Sequence, residues 1–186
     1  MRILPLDDDG RDTRVTALFD RARATYRWLP NTVRVMARGS GSGELYLTAG
    51  ALNRDGSCGE LERELLAVTT AAFNRCDYCL TAHSLAARAL GASEEDVLSA
   101  QAGRASDPRT DAMLQFARAV LRERGRVHDD ELVQARRGGL DDRLMLDIVS
   151  VVVENTLGNF VNNIAETELD GVLERALPKA LPRQRP

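Results

Sequence analysis

A chain of 186 residues has room for one domain with a real core, or at most two small ones, and we read it as one. Its 25 Lys and Arg stand against 28 Asp and Glu, a net charge of −3 spread through the chain, which leaves no basic footprint for nucleic acid. The opening MRILPLDDDG turns acidic too early for a signal peptide, and no later apolar run reads as a membrane span, so the expectation is a soluble, cytoplasmic protein with no membrane partner.

Helical spacing runs through almost every long segment, and no alternating run of β-branched residues reaches strand length, so the expected fold class is all-α. The first helix is expected from Thr13 to Tyr26, with Val15, Leu18, Phe19 and Ala22 on one face. WLPNT breaks it, and Pro30 can open the next. After the glycine-rich ARGSGSGEL a helix is expected from Glu44 to Leu52. In the turn NRDGSCG, Ser57 and Glu60 have capping-box spacing, which predicts a helix from Gly59 to Phe73. Asn74 and Arg75 interrupt the pattern. A further helix follows from Cys76 to Leu90, closed by Gly91, and Ser93 caps a short one after it. Asp107 and Pro108 start another, which ends before Gly125; Asp129 and Asp141 start the last two, the final one running from Asp142 to Ala165. The tail LPKALPRQRP, with three prolines and no periodicity, is expected to be disordered.

Three cysteines are too few for a disulfide framework, and in a reducing compartment a close pair points to metal binding or redox catalysis. Cys76, Cys79 and His83, spaced by three and four residues, share one face of a helix. Such a helix has apolar residues on its other side too (Tyr78, Ala82, Leu85 and Ala89), so it is expected to be buried twice over. On the preceding helix Glu64 falls among Leu61, Ala67, Val68 and Ala71, where a carboxylate would be desolvated. Desolvation moves a carboxyl toward the proton affinity a general base needs. The residues leave open which thiol reacts: Cys76 would gain from a helix N-terminus, and Cys79 has His83 one turn along to share its proton.

Glu64, eleven residues, Cys76, two residues, Cys79, three residues, His83 is a spacing far more specific than CxxC alone. It resembles the signature of the AhpD-like, carboxymuconolactone decarboxylase-related proteins, as do the surrounding LPNTVRVMAR, LGASEEDV and DAMLQFARAVL. The resemblance covers residues 29–169, leaving 1–28 as an N-terminal helical segment and 170–186 as a tail. It implies an all-helical oligomer whose CxxC branch reduces hydroperoxides, with Cys79 attacking, Cys76 resolving, and Glu64 and His83 moving protons between the thiol and the leaving alcohol. The better-known alkylhydroperoxidases carry a histidine inside the CxxC; here Asp77 and Tyr78 stand there, so Tyr78→His would be expected to raise activity if the missing histidine limits this chain. Thiol chemistry suits the reading independently, because a thiolate attacking an O–O bond gives a sulfenic acid that a second thiol condenses to a disulfide. The reading needs no cofactor and no metal. With no dinucleotide fingerprint in the chain, reduction would come from an external dithiol, such as a lipoyl- or thioredoxin-like protein.

Zinc held by Glu64, Cys76, Cys79 and His83 is the rival site chemistry. A decarboxylase-like enzyme would leave the CxxC without a task, and a non-enzymatic helical oligomer would use the cysteines as small core residues. Leu80 after Cys79 excludes haem attachment, and a thioredoxin-like motif needs a βαβ setting. Cys58 sits where an apolar residue would staple the following helix, and His128 reads as a solvated loop residue. Met113, Phe116 and Phe160 read as core. Glu154, Asn155, Asn159, Asn162 and Asn163 interrupt an apolar helix and must find partners in another helix, another subunit or the active-site cavity.

Overall fold

The computed structural model describes residues 1–8 and 12–177. Among these residues the regular elements are ten helices and no strand. In order they are α1 (Thr13–Tyr26), α2 (Asn31–Met36), α3 (Ser42–Arg54), α4 (Glu60–Phe73), α5 (Asp77–Ala89), α6 (Glu94–Gln101), α7 (Pro108–Glu123), α8 (Asp129–Arg137), α9 (Asp142–Ala165) and α10 (Gly171–Ala176). The expected disorder of the tail falls on residues 178–186, outside the described residues.

Polar caps set most of the boundaries. Asp12, Ser93, Asp107 and Asp141 accept backbone N–H groups at the starts of α1, α6, α7 and α9, satisfying donors that a helix cannot satisfy itself. Two expected caps are displaced. α4 starts after Gly59, whose N–H donates to Glu62 at 2.6 Å, while Ser57 donates its own N–H to Asp147 on α9. α8 starts after His128 rather than Asp129, with the His128 N–H donating to Glu131.

α4 is the centre of the molecule, packed against α5, α6, α7 and α9. Leu66, Val68, Met113, Leu114 and Ile148 are sealed where these helices meet. A second core holds α1, α2 and α3 together around Leu18, Phe19 and Val33, and α9 borders it through Leu157 and Val161. Each large side chain sealed there contributes about 2–3 kcal/mol. A third, smaller cluster joins Cys76, Tyr78 and Cys79 to Leu169 and Leu173 of the C-terminal segment.

α9 overturns two expectations. An 18-residue stretch of it is apolar enough to cross a membrane by length and composition alone, a test that a buried core helix also passes, although no such run was expected. Its apolar content serves two faces at once: Ile148, Val151 and Val152 are core, while Leu146, Val153, Phe160 and Ile164 are more than half exposed. Phe160, expected in the core, therefore lies on the outer face.

Candidate active site

The turn from α4 to α5 delivers the cysteine pair. Asn74 ends α4, Arg75 takes a left-handed φ of 54°, and the Cys76 N–H returns to the Ala71 carbonyl at 3.0 Å while the Arg75 N–H reaches that of Ala72. This is a Schellman closure with arginine where glycine is usual. Cys76 then adopts extended geometry (φ −103°, ψ 97°) as the N-cap of α5, and its sulfur accepts the Cys79 N–H at 3.3 Å. The expectation that the helix runs from Cys76 is corrected: Cys76 caps it and Asp77 is its first residue. A capping side chain folds back over the third helical residue, and here that residue is Cys79.

Both thiols are free and buried, with Cys76 1% and Cys79 5% exposed. Their electrostatics differ sharply. A hydrogen bond from the Cys76 thiol is the largest influence holding the Cys79 thiol below its usual pKa; burial opposes it, and His83 and the amides of Asn162 and Asn159 add to it. Asn162 Nδ2 donates to Cys79 Sγ at 3.2 Å. Cys76 is pushed far up by that same bond and by burial, so it is the protonated partner. Burial alone would lower the His83 imidazole, but the Glu64 carboxylate more than offsets it and raises it to about 9. His83 Nδ1 lies 2.8 Å from Glu64 Oε2. Glu64, expected to be desolvated, keeps about a quarter of its side chain exposed and is engaged by His83.

The four residues singled out in the sequence thus fall into two contacting pairs, Cys76 with Cys79 and Glu64 with His83, linked by the influence of His83 on Cys79. Among the described residues no group of three or more His, Cys, Asp and Glu converges as a metal-binding set. Cys58 stands apart at the start of α4, buried and pushed up to about 11 mainly by burial. Tyr78 does not occupy a relay position. Its hydroxyl donates to Asp170 at 2.5 Å, and Asp170 also accepts the Asn31 N–H.

Asn159, Asn162 and Asn163 of α9 belong to this site, which sequence reasoning left undecided, whereas Asn155 donates to the Val151 carbonyl of its own helix. Asn159 Oδ1 accepts from Asn74 Nδ2 at 2.9 Å, and Asn163 donates to the Asn74 carbonyl, so α9 grips the turn that carries Cys76. The available signal was spacing: Asn155, Asn159 and Asn162 recur at four and three residues on one face of an otherwise apolar helix.

Residues 45–123 match the profile described as the Carboxymuconolactone decarboxylase family. A peroxidase-related protein from Ralstonia eutropha JMP134, described as an alkylhydroperoxidase AhpD core, superposes with a TM-score of 0.80 at 21% identity, covering 95% of this chain and 97% of that one. A peroxidase-related protein from Silicibacter sp. TM1040 gives 0.77 at 22% identity over 93% and 95%. Over residues 45–123 the chain is similar to the carboxymuconolactone decarboxylase family, and its fold as a whole is AhpD-like. The AhpD-like fold is shared more widely: the debrominase Bmp8, in a cysteine variant bound to 2,3,4-tribromopyrrole, superposes with a TM-score of 0.76 at 14% identity, covering 95% of each chain. No curated protein matches the sequence.

Proposed function

We propose that the chain is a thiol-dependent peroxidase in which Cys79 attacks a hydroperoxide, Cys76 resolves the product to a disulfide, and an external dithiol restores both thiols. The observation that carries this reading is the setting of the Cys79 sulfur: a hydrogen bond from Cys76, the Asn162 amide at 3.2 Å and the His83 cation all favour its thiolate. A buried cysteine serving only as packing would have its thiol pushed up, as Cys58 has.

The steps balance with these groups alone. The Cys79 thiolate attacks the terminal peroxide oxygen, the O–O bond breaks, and the departing alkoxide takes the His83 proton, leaving a sulfenic acid and an alcohol. Cys76 sulfur then displaces the sulfenic oxygen; its proton leaves with that hydroxyl as water, and the S–S bond forms. A dithiol attacks the disulfide at Cys76, Cys79 departs as the better leaving group, and the protons released restore the Cys76 thiol and the His83 cation.

The test follows hydroperoxide consumption with dihydrolipoamide or a thioredoxin-type dithiol, with 2,3,4-tribromopyrrole as a second substrate because the fold also serves a debrominase. Dithiol-dependent peroxide loss that vanishes in Cys79→Ser is the expected result. Bromide release without peroxide consumption would transfer the same thiols to reductive debromination, and activity that survives Cys79→Ser would overturn the reading.

A further inference from the structure

Two buried amides of α9, on the face turned to the cysteine turn, each leave one polar atom unanswered. Asn162 uses only half of its amide: Nδ2 donates to Cys79 Sγ at 3.2 Å, while the buried Oδ1 accepts from no group among the described residues. Asn159, three residues earlier and so on the same face, is the converse. Its Oδ1 accepts from Asn74 Nδ2 at 2.9 Å, and its buried Nδ2 finds no acceptor among the described residues. Asn159 is 1% and Asn162 4% exposed. Both are held in place. The Asn162 carbonyl accepts the N–H groups of Glu166 and Thr167 where α9 ends, and Asn74 fixes Asn159 from the turn that carries Cys76.

A buried hydrogen-bonding atom without a partner is costly, and native proteins leave few of them. Had α9 needed only to favour the Cys79 thiolate, a donor would have been enough. The amide sets an acceptor beside that donor: its C=O and C–N bonds meet at one carbon, so Oδ1 stands about 2.2 Å from Nδ2. A hydroxyl bonded to Oδ1 at about 2.7–2.8 Å can therefore bring its oxygen within the roughly 3–3.5 Å of Sγ at which reacting atoms are poised to bond. A hydroperoxide carries such a hydroxyl on the very oxygen that a thiolate attacks.

We propose that Asn162 is a catalytic residue that seats the substrate, its Oδ1 accepting the O–O–H hydrogen while its Nδ2 holds the Cys79 sulfur, so that one amide aligns nucleophile and target. The proposal deepens the peroxidase reading and rests on it. The hydrogen stays on the attacked oxygen: as the S–O bond forms and the O–O bond breaks, it becomes the sulfenic hydrogen, and the departing alkoxide still takes its proton from His83. The substrate class narrows to peroxides with a free O–O–H group, hydrogen peroxide and alkyl hydroperoxides, over dialkyl peroxides.

The experiment compares, at one pH, the rates at which Cys79 reacts with tert-butyl hydroperoxide and with iodomethane, in the parent and in Asn162→Leu. Iodomethane has no hydrogen to donate, and the ratio of the two rates cancels the thiolate fraction, which the variant also changes. That ratio should fall about tenfold in Asn162→Leu, the effect of one hydrogen bond made to the reacting group. A residue that only packs, or only favours the thiolate, would slow both reagents alike, so an unchanged ratio overturns the proposal. If Asn162→Leu does not fold, the Asn162 side-chain amide is followed by NMR in Cys79→Ser, which cannot turn over. Its signals should move on addition of tert-butyl hydroperoxide and not of tert-butyl methyl peroxide, which lacks the O–H; a response to both or to neither overturns the proposal. A parent that is methylated at Cys79 yet leaves hydroperoxide intact rejects the peroxidase reading itself, and the proposal falls with it.

Discussion

Glu64 pairs with His83, whose charge favours the Cys79 thiolate, and the contribution of this pair to stability has a definite sign with pH. The folded His83 pKa, raised to about 9, exceeds its unfolded value of 6.5, so the stability this pair contributes is fully present below pH 6.5 and is lost as pH rises through about 9. Urea midpoints measured from pH 6 to 10 should fall across that window, and should fall less in Glu64→Gln. Cys79 is shifted the other way, so its thiolate persists below the pH at which a free thiol ionises. Peroxide reactivity should therefore form a plateau bounded on the alkaline side near pH 9. At pH 7, Glu64→Gln should slow the attack by about 10²–10⁴-fold, as removal of a general acid–base group does, with stopped-flow thiol oxidation as the readout. Cys58, buried and pushed up to about 11, should resist alkylation under conditions that label Cys79. Cys76, Cys79, His83 and Glu64 could be picked out as candidates in the sequence because their types and spacing suit thiol chemistry. The pairing of Glu64 with His83 was not legible, since it depends on how α4 lies against α5.

The element that matters most to the pair is the short C-terminal segment ending in α10. Leu169 and Leu173 pack on Cys76, Tyr78 and Cys79, and the Tyr78–Asp170 bond anchors the segment beneath α2. Tyr78→Phe removes a hydrogen bond to a buried carboxylate, a loss of about 1.5–3 kcal/mol. Thermal unfolding should register that loss, and alkylation of Cys76 should quicken as the cover loosens. The same contact replaces the expectation for Tyr78→His: the position is structural, and the substitution should cost stability rather than raise activity. Arg75 offers a complementary test, because Arg75→Gly relieves a left-handed residue at a cost of roughly 1 kcal/mol and should raise the melting temperature. Long helices such as α1 and α9 were legible to the residue, because aspartate caps and apolar periodicity agree there. Six-residue α10 was not, since so short a helix draws its stability from where Leu173 lands rather than from its own pattern. Cys76 as a cap was likewise hidden, because cysteine is not among the residues that usually signal a helix start.

At the scale of the whole molecule, the outer face of α9 is left uncovered by the described residues. Leu146, Val153 and Phe160 recur every seven residues, and Val153 and Phe160 with Leu45 and Phe73 border an apolar groove of about 1070 Å³ along α9. A seven-residue apolar repeat is the pattern a second helix of the same kind fills, and a two-fold pairing would let two copies cover each other. Light scattering at micromolar concentration should therefore show an oligomer, and the double variant Val153→Glu, Phe160→Glu should shift it toward monomer; a monomeric parent would contradict this. The all-α class was legible from periodicity, whereas the exposed stripe was not. A helix apolar on two sides looks the same in sequence whether its second side meets its own chain or another.

Peptide mass mapping after one equivalent of hydroperoxide tests the central claim, that Cys79 attacks and Cys76 resolves. The account predicts a Cys76–Cys79 disulfide in the parent, a trapped sulfenic acid on Cys79 in Cys76→Ser, and Cys58 unmodified throughout. A disulfide that includes Cys58, or a Cys79→Ser protein that oxidises at Cys76 as fast as the parent oxidises at Cys79, would contradict it.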